Sequence, residues 1–416
     1  MISYRKYRLA NGLSVLTHEA WDTPLATVNL LYNVGSRNED PSRTGFAHLF
    51  EHLMFGGTPQ VPDFDTVVSA HGGESNAFTN CDYTNYYITL PVDSLSTALL
   101  LEADRMAHLD ISQRALEVQQ NVVTEEYNQR YMNQPYGDTW LQLRPLCYKV
   151  HPYRWPTIGA DIRHVSQATL DDVRAFHQQY YRPENAILAI AAPMTCNEMI
   201  SQVEKAWDSA ATPDNEEHNM AALHRIEEPR QESPRHCKVF RDIPSSMVFL
   251  AYPMCDRFHP QFRACDLLTD LLASGKSSRL HQHLVKEQRL FIEADACISG
   301  DAGPGLLVLS GKLQEGVDPD RGIQALREEA LHLAEQRVDD YELEKVLNRY
   351  ENTFVFSQYK AADRAMGLCY YAWMGDTNLV NNEPALYRHV TPDTLQEAAR
   401  ETFNPLHENT LYYLKK

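Results

Sequence analysis

The chain has 416 residues, of which 43% are hydrophobic and 23% charged, and its formal net charge is −18. This length favours two domains of roughly 200 residues each, and the composition is that of a globular protein. The acidic balance argues against DNA or RNA as a partner, because binding to phosphates requires a basic surface.

The sequence shows no pattern typical of a membrane span, a signal peptide or a disulfide framework. No apolar run approaches the ~20 residues that cross a membrane, and the first residues lack the apolar stretch of a signal peptide. We therefore expect no membrane span and a cytoplasmic protein, or a periplasmic one if a leader precedes this sequence. The eight cysteines form no CxxC pair, which argues against a thiolate zinc site and against a disulfide framework.

The first half of the chain alternates predicted strands and helices. Apolar runs rich in β-branched or aromatic residues predict strands at 27–34, 83–90 and 186–192. Helical periodicity predicts helices at 44–55, 95–108, 113–131 and 170–180. This order is typical of a domain in which helices pack on a sheet.

A polar, proline-containing stretch in the middle of the chain is typical of a linker. Beyond it the element order begins again, with strands at 246–252 and 306–310 and helices at 261–272 and 339–356. The pattern predicts an N-terminal domain over 1–210, a linker over 211–236 and a C-terminal domain over 237–416. The C-terminal domain is interpreted as a diverged copy of the first.

The segment His48-Leu49-Phe50-Glu51-His52 has the spacing HxxEH. On a helix, residues four apart lie one turn apart on the same face, so His48 and His52 can offer two imidazoles to one metal ion. Glu51 lies beside the pair, where it can take a proton from a water molecule. Zinc fits because its catalytic sites use three protein ligands and keep one position open for water.

A third ligand is then required, and the predicted helix 113–131 offers glutamates. Leu116, Val122 and Val123 are interpreted as the inner face of this helix, and Glu126 follows the two valines by one turn. Glu125 fits this periodicity almost as well, so the spacing alone leaves both open. Helical glutamates are also common as plain surface charges.

Several motifs in both halves carry a family resemblance. They are GFAHLFEHLMFGGT at 45–58, GGESNAFTNCDYTNYY at 72–87, NVVTEEYNQR at 121–130, HPYRWPTIG at 151–159 and SSRLHQHLVKEQRLF at 277–291. The sequence resembles the pitrilysin/insulinase-type inverted-motif zinc peptidases, or inverzincins. Within that family it is similar to the short-chain dimeric subgroup that includes mitochondrial processing peptidase.

The resemblance implies a fold, a ligand set and a substrate site. The fold is α+β, with two homologous α/β-roll domains, each a mainly antiparallel sheet packed with helices. The third zinc ligand corresponds to Glu126. A peptide substrate pairs by its backbone with the edge strand Asn76-Ala77-Phe78-Thr79, as in other cases of strand addition.

Two departures from the family pattern bear on activity. Family members often have a glutamate where this chain has Gln119, which keeps an acceptor near the metal but removes a charge. An arginine and a tyrosine that stabilise the developing oxyanion usually come from the second half, and here Val285 and Ile292 stand at those positions. We therefore expect a homologous subunit to supply this pair in a dimer, as a heterodimer or a homodimer.

The sequence thus predicts a zinc-dependent endopeptidase for peptides or unfolded polypeptide segments. The alternative is a partner-dependent peptide-binding or assembly subunit with little activity alone. A zinc hydrolase acting on small molecules is a third and weaker interpretation.

Overall fold

A computed structural model describes residues 1–214, 216–222 and 226–416 of the chain. The chain divides into two compact units, and neither is continuous in sequence. Unit 1 comprises Met1–Tyr127, Pro156–His224 and Phe354–Asn382, and unit 2 comprises Asn128–Trp155, Arg225–Thr353 and Glu383–Lys416. Residues 215 and 223–225 of the predicted linker lie outside the described residues.

Strands and helices alternate along most of the chain. The strands are β1 (Arg5–Leu9), β2 (Ser14–Glu19), β3 (Leu25–Tyr32), β4 (Glu74–Thr79), β5 (Thr84–Pro91), β6 (Ala186–Ala192), β7 (Ala211–Pro213), β8 (Arg235–Arg241), β9 (Met247–Met254), β10 (Phe291–Ser299), β11 (Gly305–Leu313) and β12 (Asn409–Lys415). The helices are α1 (Phe46–Leu53), α2 (Phe64–Ala70), α3 (Leu95–His108), α4 (Gln113–Tyr127), α5 (Thr139–Cys147), α6 (Ile162–Ser166), α7 (Leu170–Tyr180), α8 (Cys196–Trp207), α9 (Phe262–Ala273), α10 (Pro319–Glu335), α11 (Asp340–Phe356), α12 (Ala361–Met374), α13 (Leu379–Tyr387) and α14 (Pro392–Thr402).

Each unit is built around one sheet. In the described part of unit 1 the strand order is β4-β5-β3-β6-β2-β1-β7, in which the β2–β6 pair is parallel and the other pairs are antiparallel. In unit 2 the order is β10-β11-β9-β12-β8, in which the β8–β12 pair is parallel and the rest are antiparallel. β4 therefore lies at one edge of its sheet and β10 at one edge of the other.

The two sheets share one topology. Each begins with an edge hairpin, continues with a central strand, and then contains one parallel pair. This confirms the predicted α+β fold with mainly antiparallel sheets packed by helices. The limits 1–210, 211–236 and 237–416 stay predictions. Among the described residues, no helix has both the length and the apolar character to cross a membrane.

A helix from late in the chain completes unit 1. α12 packs against β3 and β6, and the Cys369 thiol donates to the carbonyl oxygens of Asn29 and Ile187 at 3.5 and 3.4 Å. The indole of Trp373 donates to Asn33 Oδ1 at 2.8 Å. In unit 2, α5 from the first half of the chain packs against β8 and β12. Unit 1 is therefore completed by residues from the C-terminal part of the chain.

We expect Leu368→Ala to lower the free energy of unfolding by about 2–5 kcal/mol, the usual cost of a buried leucine-to-alanine cavity. Leu368 is fully buried in α12. Urea unfolding followed by circular dichroism measures the change, with Leu100→Ala as the control because Leu100 is 57% exposed on α3. Equal stability of the two variants would contradict this role for α12.

Candidate metal centre

The HxxEH segment lies on α1, a short helix with two different faces. Leu49, Phe50 and Leu53 are buried on one face, while the His48 and His52 side chains keep 12% and 22% of their surface exposed. The periodicity of the helix separates the apolar side chains from the imidazoles. The apolar face anchors the helix, and the polar face stays accessible to solvent.

The N-terminus of α1 is fixed by a glycine and a carboxylate. Gly45 precedes the helix at a φ of +92°, and a Cβ there would come within 2.8 Å of Ile158 O and Val165 Cγ2. The buried Glu39 carboxylate accepts hydrogen bonds from Gly45 N and Ala47 N, both at 2.9 Å. Two donors at the helix start are thereby satisfied, and the negative charge complements the helix dipole.

An aromatic cluster supports the buried face of α1. The Phe50 ring stacks on Phe176 and on Tyr181, with centroid distances of 5.2 and 5.0 Å. Tyr86 and Tyr181 are buried behind the helix, and this burial raises the pKa of both phenols well above the usual value, with a smaller contribution from the negative charge of Glu51. These tyrosines therefore stay neutral and act as packing groups.

α4 brings Glu126 to the imidazoles. Leu116 and Val123 are buried on this helix, Glu125 is exposed, and the Glu126 side chain is 17% exposed. The structure thus distinguishes the two glutamates that spacing left open. The assignment of Val122 to the inner face was wrong, because Val122 is 44% exposed.

The donor atoms of His48, His52 and Glu126 converge on one point. Glu126 Oε1 lies 3.7 Å from His48 Nε2, and Glu126 Oε2 lies 3.3 Å from His52 Nε2. One ligand atom from each residue falls within 4.8 Å of the others. A tetrahedral zinc ion with bonds near 2.0–2.1 Å has ligand separations of about 3.3 Å. Two imidazoles and one carboxylate also form a recognised catalytic zinc set, so these residues fit the ion.

Glu51 lies beside this set and is tied to β4. Thr79 Oγ1 donates to Glu51 Oε2 at 2.6 Å. The predicted general base and the last residue of the predicted substrate strand are therefore in direct contact. The sequence interpretation treated Thr79 as a backbone contact for substrate, and it missed both this hydroxyl and Glu39.

The other residues of the predicted substrate strand are Asn76, Ala77 and Phe78, and all three lie on β4. The backbone N–H of Ala77 donates to Asn76 Oδ1 at 2.8 Å. Phe78 points to the opposite face from Thr79, where it lines a cavity of about 300 Å³ together with Tyr83, Tyr370 and other residues of unit 1. β4 thus has the edge position that the predicted role requires.

Gln119 lies on α4 two turns before Glu126, on the same side of the helix, and is partly buried. Its predicted role as a supporting acceptor for the site stays a prediction.

Val285 and Ile292 belong to unit 2. Val285 packs against the apolar core of that unit, and Ile292 is 46% exposed on β10. Arg279 is the nearest arginine before Val285 in the sequence. It pairs with Glu342 through Nε and Nη2 at 2.9 and 2.7 Å. Neither Val285 nor Ile292 has a side-chain hydrogen-bond donor.

Comparisons with known proteins point to one peptidase family. Residues 14–140 match the model of the insulinase family, peptidase family M16, and residues 167–350 match that of the peptidase M16 inactive domain. The chain is 28% identical to the zinc protease PqqE of Helicobacter pylori over 414 residues, which cover 97% of this chain and 91% of that protein.

Solved structures show the same fold. The crystal structure of a protease from Helicobacter pylori is similar with a TM-score of 0.91 and 26% identity, over the full length of both chains. A peptidase M16 inactive domain from Pseudomonas fluorescens is similar with a TM-score of 0.87 and 17% identity, over 100% of this chain and 98% of that one.

We expect Glu39→Gln to weaken zinc binding and to lower the free energy of unfolding by about 1–3 kcal/mol, because a buried helix terminus loses its charged acceptor. Competition with a chelator measures zinc affinity, and urea unfolding measures stability. Asp63→Asn is the matched control, because Asp63 caps the exposed start of α2. Equal zinc affinity in the two variants would contradict a role for Glu39 in holding α1.

Proposed function

Because the chain belongs to peptidase family M16, the insulinase family, we propose that it is a zinc-dependent endopeptidase. The observation that carries the proposal is the convergence of His48, His52 and Glu126 beside Glu51. Relatives named as zinc proteases support the choice of metal. The substrates are peptides or unfolded polypeptide segments, since the proposed binding element is the edge of a sheet.

In this proposal His48, His52 and Glu126 hold zinc, and Glu51 acts as the general base. When bound, zinc supplies a Lewis acid, which makes a water molecule more acidic and polarises a peptide carbonyl. Glu51 takes a proton from the attacking water at a carboxylate oxygen and then passes it to the departing amine. The partial exposure of both histidines leaves the site open to water and to substrate.

Substrate binding is proposed to occur along Asn76–Thr79. An extended peptide can add to β4 because this strand lies at the edge of its sheet. The Ala77 N–H, which donates to Asn76 Oδ1 in this structure, can donate to a substrate carbonyl instead. Main-chain pairing of this kind provides affinity for many sequences.

We expect Glu51→Gln to abolish turnover almost completely while zinc is retained, because an amide cannot accept the proton. General-base catalysis contributes about 10²–10⁴-fold. Hydrolysis of a quenched fluorogenic peptide library measures the loss, and metal analysis measures zinc. Glu125→Gln is the matched control, because Glu125 is an exposed glutamate next to a proposed ligand. Cleavage by the Glu51→Gln variant at the parental rate would exclude this role.

The second candidate is a partner-dependent subunit that binds peptide with little activity alone. Val285 and Ile292 favour it, because neither side chain can stabilise an oxyanion. We propose that a homologous subunit with an arginine and a tyrosine at these positions completes the site in a dimer. A single such donor is typically worth about 10²–10³-fold in turnover.

We therefore expect the purified chain to bind zinc and to cleave peptides slowly, and to gain at least tenfold in rate when a homologous subunit carrying the arginine and tyrosine is added. The same peptide library, assayed with and without chelator, measures both rates. Rapid, chelator-sensitive cleavage by the chain alone would contradict the partner requirement and would leave the proposed peptidase activity intact.

A further inference from the structure

The contact between Thr79 and Glu51 joins two elements that are distant in sequence. Thr79 Oγ1 donates to Glu51 Oε2 at 2.6 Å, which is within the usual range for a hydrogen bond between two oxygen atoms. Thr79 is the last residue of β4, and Glu51 lies on α1. One hydrogen bond thus connects the proposed substrate strand to the proposed general base.

The hydroxyl is carried by a fixed piece of backbone. Thr79 is paired with Thr84 in the β4–β5 ladder, and Thr84 Oγ1 donates to Val34 O at 2.8 Å. The turn after β4 is held by Asn80, whose Oδ1 accepts from Asp82 N and Tyr83 N at 2.7 and 2.8 Å. Thr79 itself is partly buried, and its β-branched side chain has restricted χ1 freedom.

Glu51 has more side-chain torsions than Thr79. Packing of α1 fixes the backbone of Glu51, and its side chain has two rotatable bonds beyond Cβ. A base must present one carboxylate oxygen in a defined direction, and a displacement of about 1 Å can cost 10²-fold in rate. A donor on a rigid strand that holds Oε2 restricts the direction of the whole carboxylate.

We infer that Thr79 is a positioning residue, whose hydroxyl orients the Glu51 carboxylate for proton transfer. This inference rests on the proposed function of Glu51. It also gives β4 a second task, because the strand that receives the peptide backbone then fixes the base relative to that peptide. The proposed substrate strand and the direction of the base are then linked through one residue.

The test compares Thr79→Val, which removes the hydroxyl and keeps the branched shape, with Thr79→Ser, which keeps the hydroxyl. Thr79→Val is expected to lower kcat about 10- to 100-fold with KM within threefold and zinc content unchanged. Thr79→Ser is expected to recover most of the lost turnover. A rise in KM or a loss of zinc with no change in kcat would overturn the inference.

Ser75→Ala is the matched control. Ser75 lies on β4, on the same face as Thr79, and its hydroxyl donates to Asp65 Oδ1 of α2 at 3.1 Å. Ser75→Ala therefore removes a hydrogen bond from a hydroxyl to a carboxylate, as Thr79→Val does, but this bond joins β4 to α2 instead of α1. An equal loss of kcat in Ser75→Ala and Thr79→Val would mean that only tethering of the strand matters, and would overturn the inference.

Crystal structures of the parent and of Thr79→Val provide a reading that does not depend on turnover. We expect the Glu51 carboxylate to leave its parental position in the variant while His48, His52 and Glu126 stay in place. An unchanged Glu51 conformation would overturn the inference. If the parent cleaves no peptide even after a homologous subunit with the arginine and tyrosine is added, the proposed activity fails, and this structural comparison still decides the role of Thr79. Thr79→Ala replaces Thr79→Val if the valine variant is unstable.

Discussion

The site depends on a constraint that acts on one short helix. α1 has eight residues, and an isolated helix of that length is unstable in water. Its geometry therefore comes from tertiary contacts, with Phe50 in an aromatic cluster on one side and the Glu39 carboxylate at its start. Packing thus stabilises the helical conformation that places His48 and His52 on one face, and changes in the core beneath α1 act directly on the metal ligands.

A second constraint is the proximity of Glu126 to two imidazole nitrogens. Lone pairs of neutral imidazoles and a carboxylate repel one another unless a proton or a cation lies between them. Distances of 3.3 and 3.7 Å on partly buried side chains are consistent with a cation-binding set. α4 contributes to this arrangement through Gln120, whose side chain donates to Val165 O and Ala168 O at 2.9 and 3.0 Å. The helix that carries Glu126 is therefore also held by side-chain contacts outside itself.

Much of this arrangement could be predicted from the sequence, because helical spacing is local. The spacing of His48 and His52 required only the geometry of one helix, and the repeated element order predicted two similar sheets. Glu126 and Glu125 could not be separated by spacing, since adjacent residues differ by 100° around a helix and Val122 was misleading. The Thr79–Glu51 contact and the packing of α12 on β3 depend on which elements meet in space, and periodicity carries no information about that.

The two units share one topology, but only α1 of unit 1, and not the equivalent helix α9 of unit 2, carries candidate metal ligands. In unit 2, α9 follows β9 as α1 follows β3, but α9 has no histidine and buries four leucines, Leu267, Leu268, Leu271 and Leu272. Polar side chains on a core helix reduce the apolar area that it can bury, and their partial desolvation costs free energy. α9 also has polar side chains, such as Asp266, which accepts a hydrogen bond from the Tyr387 hydroxyl, but it has no pair of imidazoles. The set of His48, His52, Glu51 and Glu126 is therefore not required by the shared topology, which favours a functional over a structural origin for it.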